Sequence, residues 1–287
     1  MTQTLIKTRI KNFRYKETAD PILKDISLEI FRREIVCVTG PNGAGKTTFL
    51  KIISGLLPTA EPGDKIYIDG VGELASMKPP QIARIISWMP SETKIAYDYE
   101  VFETVLMGRL PYVGFFSSPA KDDIDKTSRA LAMTGLTGFS RRKISTLSSG
   151  ERQLVYLAQA IAQDTPVMIL DEPATHLDIK HSAKIFSILK MLSRQNGKTI
   201  IFSHHDLNTA AFFSTRIIMI KNGAVLSSGA PREVINEENV NLLYSLTDDD
   251  EIKYNVIYSN IHKENQNTHG GIPVIFPSPK NNKEDVL

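Results

Sequence analysis

Gly40-Pro41-Asn42-Gly43-Ala44-Gly45-Lys46-Thr47-Thr48 decides the reading of this chain. It follows the apolar run Ile35-Val36-Cys37-Val38-Thr39 and leads into Phe49-Leu50-Lys51-Ile52-Ile53, which reads as helix. Strand, glycine-rich turn and helix start together make a phosphate-binding loop. The glycines let successive backbone N–H groups turn toward one anion, and the helix N-terminus adds the positive end of its dipole. Lys46 reaches the outer phosphates, and the Thr47 hydroxyl can ligate Mg2+. The bland alternative is a glycine-rich turn that carries a lysine by chance; the full spacing and both flanks weigh against it. A nucleoside triphosphate is the implied ligand.

A second signal lies downstream, in Val167-Met168-Ile169-Leu170-Asp171-Glu172-Pro173. A buried apolar strand ending in two carboxylates puts Asp171 at the C-terminal edge of a sheet, beside the phosphate loop. In such a site the first carboxylate holds Mg2+ through water, and Glu172 can polarise the water that attacks the γ-phosphate. Alone, two acids after a strand are more often a solvated turn; the phosphate loop upstream favours the functional reading.

The pattern between these signals is that of an α/β protein. Strand-like runs at 5–10, 26–30, 35–39 and 65–69 precede a largely helical middle section over about 101–145. Apolar residues then recur at helical spacing (Leu154, Leu157, Ala158, Ile161). Further strands follow at 167–170, 199–202 and 217–220, with a helix at 179–192 between the first two. Asn222-Gly223 marks a hairpin into 224–226. Alternating strands and helices predict a three-layer α/β core with an inserted helical subdomain, about 92–150. Residues 1–247 form this unit. After about Thr247 the acidic run Asp248-Asp249-Asp250-Glu251 and the polar stretch behind it predict a poorly ordered tail, 248–287, in which only 254–258 offers a short strand.

Composition narrows the field. The 287 residues suffice for a large core, and 41% hydrophobic with 23% charged residues is ordinary for a soluble globular protein. A net charge of +2 does not argue for nucleic acid or a membrane surface as partner. No apolar stretch is long enough to cross a bilayer, and the start lacks the pattern of a secretion signal. Cys37 is the only cysteine, which excludes an intramolecular disulfide framework and fits a reducing cytosol.

Ser148 and Glu151, in Leu147-Ser148-Ser149-Gly150-Glu151-Arg152-Gln153, stand in capping-box spacing at the start of a helix. Capping explains both residues. The alternative is a second anion site, in which the Ser-Ser-Gly stretch lets backbone approach a ligand. These residues leave both readings open.

Together the segments resemble the ATP-binding subunits of ABC transporters, over about residues 4–246. Residues 40–48 look like the Walker A loop, 148–153 the signature motif, 167–172 the Walker B strand, and Ala174-Thr175-His176-Leu177-Asp178 the D-loop. The resemblance implies a P-loop NTPase three-layer core with N-terminal antiparallel β strands. It also implies ATP and Mg2+ as cofactors, the metal held at Thr47 and Asp171, and adenine stacked on Tyr15. The switch histidine of the family falls on His205 in Ser203-His204-His205-Asp206-Leu207, with His204 as fallback. Two copies face each other head to tail, each ATP held by Lys46, Thr47 and Thr48 of one chain and by Ser148 and Gly150 of the other. Glu172 then acts on water, His205 holds the γ-phosphate, and the protein works by positioning and charge stabilisation.

Two departures stand out. Where the family carries a glutamine, this chain reads Met89-Pro90-Ser91-Glu92, so Ser91 takes its place; Glu92 is the nearest alternative ligand. Weaker Mg2+ coordination or altered coupling is expected. Ser149 replaces a glycine of the signature and requires a negative φ there.

The stretches 104–116, 172–181, 205–210 and 229–238 look like the ATPases that energise uptake of iron chelates, haem and cobalamin. That implies a permease in the inner membrane, an external solute-binding protein and a peripheral place on the cytoplasmic side. Phe102, Leu106 and Tyr112 either line a groove for the permease or form subdomain core. An exporter subunit is the first competing reading, and an ATPase acting on DNA or ribosomes the second. The second lacks support, since neither a coiled-coil insertion nor a second cassette is present.

Overall fold

Every residue of the run Ile35–Thr39 is buried, because this strand lies inside a sheet packed on both faces. The computed structural model describes residues 3–16, 20–59, 63–91, 97–114, 117–247, 250, 252–259 and 271–279. Glu92, Phe116 and the acids 248, 249 and 251 lie outside them.

In chain order the elements are β1 (Thr4–Phe13), β2 (Leu23–Phe31), β3 (Ile35–Thr39), α1 (Lys46–Ile53), β4 (Lys65–Ile68) and β5 (Gly72–Glu73). Then come α2 (Pro79–Ile82), β6 (Ile86–Met89), α3 (Val101–Leu106), α4 (Lys121–Thr134), α5 (Ser149–Ala162) and β7 (Val167–Leu170). They are followed by α6 (Ile179–Asn196), β8 (Thr199–Ser203), α7 (Leu207–Phe213), β9 (Arg216–Lys221) and β10 (Ala224–Gly229). Last are α8 (Pro231–Val234), α9 (Glu237–Tyr244), β11 (Ile252–Ser259) and β12 (Ile272–Pro279).

The central sheet runs β10-β9-β3-β8-β7-β6. Its strands are parallel except β10, which returns antiparallel on β9. Asn222 and Gly223 make that return with φ of 49° and 81°, the two positive angles of a type I′ turn. A second sheet, β2-β1-β4-β5, is antiparallel throughout.

Alternation along the buried strands separates two cores. Ile35 and Cys37 of β3, Met168 and Leu170 of β7, Ile200 and Phe202 of β8, and Ile217 and Met219 of β9 face one way. They meet α5, α6, α7 and the middle helices. Val36 and Val38, Val167 and Ile169, Ile201, and Ile218 and Ile220 face the other way, onto α1 and the antiparallel sheet. Period-two side-chain direction thus makes the three layers.

In the middle section α3 and α4 pack on α5. Gly108 lets this segment close on α5, since a Cβ there would sit 2.3 Å from the Gln159 carbonyl oxygen. Arg109, 2% exposed, pairs with Asp123 at 2.9 Å and donates to the Ala162 and Gln163 carbonyls. Tyr112 covers that guanidinium at 3.9 Å, and Phe102, partly buried, packs on the core.

Strand β6 is an element that the sequence pattern does not announce. In the tail, β11 contains the short strand expected at 254–258, while β12, which was not expected, pairs with it over eight registered positions. Tyr254, Val256 and Ile272 pack against the main core, and Ile275 is buried in it. Composition missed this because the order comes from contact with the domain and not from the segment's own apolar content.

Candidate functional site

Strand β3 ends at Thr39, and the loop turns at Gly40, Gly43 and Gly45 with φ of 150°, 78° and 102°. At Gly40 a Cβ would lie 2.0 Å from the Ile220 carbonyl oxygen, so only glycine fits. Gly45 caps α1 without a side-chain acceptor, which leaves the first-turn N–H groups directed at the loop. Lys46 folds back: its Nζ donates to the Gly40 and Pro41 carbonyls at 2.8 and 3.0 Å. Burial lowers the Lys46 pKa, while the charges of Glu172 and Asp171 oppose the shift.

β3, β8 and β7 are adjacent and parallel, so their C-terminal ends open on one edge. That edge is also where the chain crosses from one side of β3 to the other, the usual place for a ligand in an open α/β sheet. The Thr47 hydroxyl lies 3.0 and 2.9 Å from the two Asp171 oxygens. Ser203, ending β8, donates to Asp171 Oδ1 at 2.6 Å and accepts the Glu172 N–H at 2.8 Å. Glu172 stands at φ 45°, a left-handed conformation that costs a non-glycine residue energy. The Ser203 bond helps hold it there. Thr175 donates to Glu172 Oε2 at 2.6 Å, and His205 Nδ1 is 3.8 Å from the same oxygen.

The adjacent histidines separate clearly. His204 is 6% exposed, packs edge-on against Phe186, and has a pKa pulled down to about 4, chiefly by burial and then by His205. His205 has a side chain 57% exposed and faces Glu172.

Thr47 and Asp171 bring hard oxygen donors together. Among the described residues no group of three or more His, Cys, Asp or Glu gathers as an all-protein metal cage. One carboxylate and one hydroxyl suit Mg2+, which takes its remaining ligands from phosphate and water. Tyr15 approaches from β1: its hydroxyl is 3.3 Å from Thr48 Oγ1 and its ring meets Phe13 edge-on at 5.2 Å.

Ser148, Ser149, Gly150, Glu151 and Asp178 form a separate cluster. Ser148 Oγ accepts the Glu151 N–H at 3.3 Å, and Glu151 Oε2 accepts the Ser148 N–H at 2.8 Å, so the capping box is made. That backbone N–H, the largest influence, lowers the Glu151 pKa. Ser149 begins α5 without a positive φ. His181 lies against Gly150, where a Cβ would come within 2.8 Å of the ring. Its Nδ1 is 2.9 Å from Asp178 Oδ1, which also accepts the His181 N–H at 2.7 Å. Among the described residues no hydrogen bond or ion pair joins this cluster to residues 40–48.

Ser91 is exposed just beyond β6, two residues after Met89, whose carbonyl takes the Asp171 N–H at 2.8 Å. Ser203, Thr175 and His181 are site neighbours that sequence reading did not select. Ser203 had a usable signal, a hydroxyl at a strand end directly before the histidine pair.

Residues 23–175 match the ABC transporter family model. The ferric enterobactin transport ATP-binding protein FepC of Escherichia coli is 30% identical over 246 residues, 86% of this chain and 90% of that protein. The petrobactin import ATP-binding protein FpuD of Bacillus anthracis is 35% identical over 239 residues, 83% and 85% of the two chains. YvrA of Bacillus subtilis, an ABC transporter ATP-binding protein, is 34% identical over 78% of this chain, which spans 50% of its length. A dimeric ATP-binding cassette in a post-hydrolysis state with ADP and Pi superposes with TM-score 0.67 at 28% identity, covering 79% of this chain and 99% of that one. An inward-facing metal-chelate type ABC transporter shares the fold, with TM-score 0.78 at 22% identity over 96% and 98%. With a phosphate loop set against Asp171 and Glu172, and FepC and FpuD aligned along most of their length, this chain belongs to the ABC transporter family, among its ATP-binding proteins.

Proposed function

We propose that this chain is the ATP-hydrolysing subunit of an importer for an iron chelate or a related metal complex such as haem or cobalamin. The observation that carries the ATPase reading is the convergence of Thr47, Asp171, Ser203, Glu172 and His205 at one sheet edge beside Lys46. The import reading rests on relatives named for ferric enterobactin, petrobactin and cobalamin.

The catalytic unit is residues 1–247 with its helical insertion. The loop N–H groups and Lys46 bind the phosphates, and Tyr15 stacks on the base. Thr47 and Asp171 hold Mg2+, which when bound neutralises charge on the phosphate oxygens. Glu172 takes the proton of the attacking water, and His205 donates a hydrogen bond to the γ-phosphate. Ser148 and Gly150 reach the nucleotide of a second copy, and Asp178 lies at the same contact; in support, among the described residues no hydrogen bond or ion pair joins them to residues 40–48 of their own chain. No described helix is long and apolar enough to cross a membrane. In this reading the transport path belongs to a separate permease, supplied by a solute-binding protein, with this chain docked on the cytoplasmic side of the inner membrane.

The test is Glu172→Gln. ATP binding is retained while turnover falls by at least about a hundredfold, the scale of a lost general base. Turnover near that of the parent removes Glu172 from this role. Co-purification from native membranes identifies the attached permease.

A further inference from the structure

The C-terminal ribbon, which ATP chemistry does not call for, touches the segment that carries His205. Ile275 of β12 is buried in the main core, opposite Val256 of β11. Its backbone N–H and C=O are both taken by one side chain: Asn208 Oδ1 accepts the N–H at 2.8 Å, and Asn208 Nδ2 donates to the C=O at 3.0 Å. A carboxamide docked this way stands in for a neighbouring strand. Asn208 is the second residue of α7, three positions after His205. A second link comes from Tyr244 of α9. Its hydroxyl donates to the His205 carbonyl at 3.3 Å, and its ring lies 6.3 Å from that of Tyr254 on β11.

The His205 side chain itself is mostly exposed, and its ring is 3.8 Å from the Glu172 carboxylate. Its placement depends on the backbone of 204–208. At the front this segment is held by Asp206, which caps α7 by accepting the Asn208 and Thr209 N–H groups at 3.2 and 2.8 Å. At the back it is held by the ribbon.

We propose that the ribbon sets where His205 stands, with Asn208 and Tyr244 as positioning residues that tie its backbone to Ile275 and Tyr254. This rests on the reading of His205 as the γ-phosphate contact. The simpler role for the same contacts is to blunt the free edge of β12, and that role affects stability alone.

The full-length variants Asn208→Ala and Tyr244→Phe separate the two, with His205→Ala as reference. Both residues are exposed, so neither change opens a cavity. Steady-state kcat and KM for ATP, the Tm, and the fraction of active sites by nucleotide titration are measured. His205→Ala lowers kcat by at least about a hundredfold, Asn208→Ala by about tenfold and Tyr244→Phe by about threefold, since small displacements of a reacting group cost rate steeply. In the last two KM and active fraction stay at parental values. Parental kcat in both Asn208→Ala and Tyr244→Phe, beside an impaired His205→Ala, overturns the positioning role and leaves the His205 reading intact. So does a kcat loss matched by an equal loss of active sites. Parental turnover in His205→Ala refutes the His205 reading, and this proposal falls with it.

Discussion

Replacing Ser203 by alanine removes one oxygen and breaks two bonds at the centre of the site. Ser203 is 0% exposed, so water cannot replace what is lost. Asp171 loses a 2.6 Å donor, and the Glu172 N–H loses its 2.8 Å acceptor. A hydrogen bond to a charged group contributes about 1.5–3 kcal/mol, and an unsatisfied buried N–H costs about 1–3 kcal/mol. Thr47 still faces both Asp171 oxygens, which keeps the first loss near its lower end. The expected destabilisation is then about 3 kcal/mol, or a Tm lower by about 6–10 °C for a chain of this size. Turnover falls further than stability requires, because Glu172 at φ 45° loses the bond that holds it there. Calorimetry of the nucleotide-free protein gives the Tm, and phosphate release at saturating ATP gives kcat. A Tm within about 2 °C of the parent, with unchanged kcat, refutes the view that Ser203 holds the two carboxylates in place.

Further outcomes follow from the same geometry. The His204 pKa, ordinarily 6.5 and here about 4, makes acid destabilising: between these values the unfolded chain holds the proton and the folded chain does not. Stability is therefore lost as pH falls from 6.5 toward 4, by about 3 kcal/mol in total. His204→Phe, which keeps a ring against Phe186, flattens the Tm–pH profile in that window; an unchanged slope counts against His204 as its source. Gly40→Ala drives a Cβ to 2.0 Å from the Ile220 carbonyl oxygen and destabilises by more than about 3 kcal/mol. Parental thermal stability in that variant means that the loop backbone is not held as described.

The phosphate loop and the strands on either side of Asp171 were legible because their signals are local. A run of Ile and Val between turns reads as a buried strand, and strands β3 and β7 have the bounds expected from the residues alone. Asn222-Gly223 was legible for the same reason, since only a few residue types adopt two positive φ values in succession. Strand β6 was not: Ile86-Ser87-Trp88-Met89 is short and neither alternating nor uniformly apolar, and it becomes a strand by pairing with β7. Strand β11 was legible at 254–258, but its partner β12 was missed because the composition there is that of a solvated tail. What orders it is Ile275 in the core and the Asn208 amide on its edge.

The amino-acid sequence by itself determined which residues can cradle phosphate and which carboxylates end a strand, since chain conformation over a few residues suffices for both. Tertiary structure decided what stands beside them. Asp171 meets Thr47 across 124 positions, and Ser203 joins them, because β8 is inserted between β3 and β7. That strand order also turned His204 inward and left His205 facing Glu172. It rests on long-range pairing and the packing of two sheet faces, and no local pattern of residues encodes it.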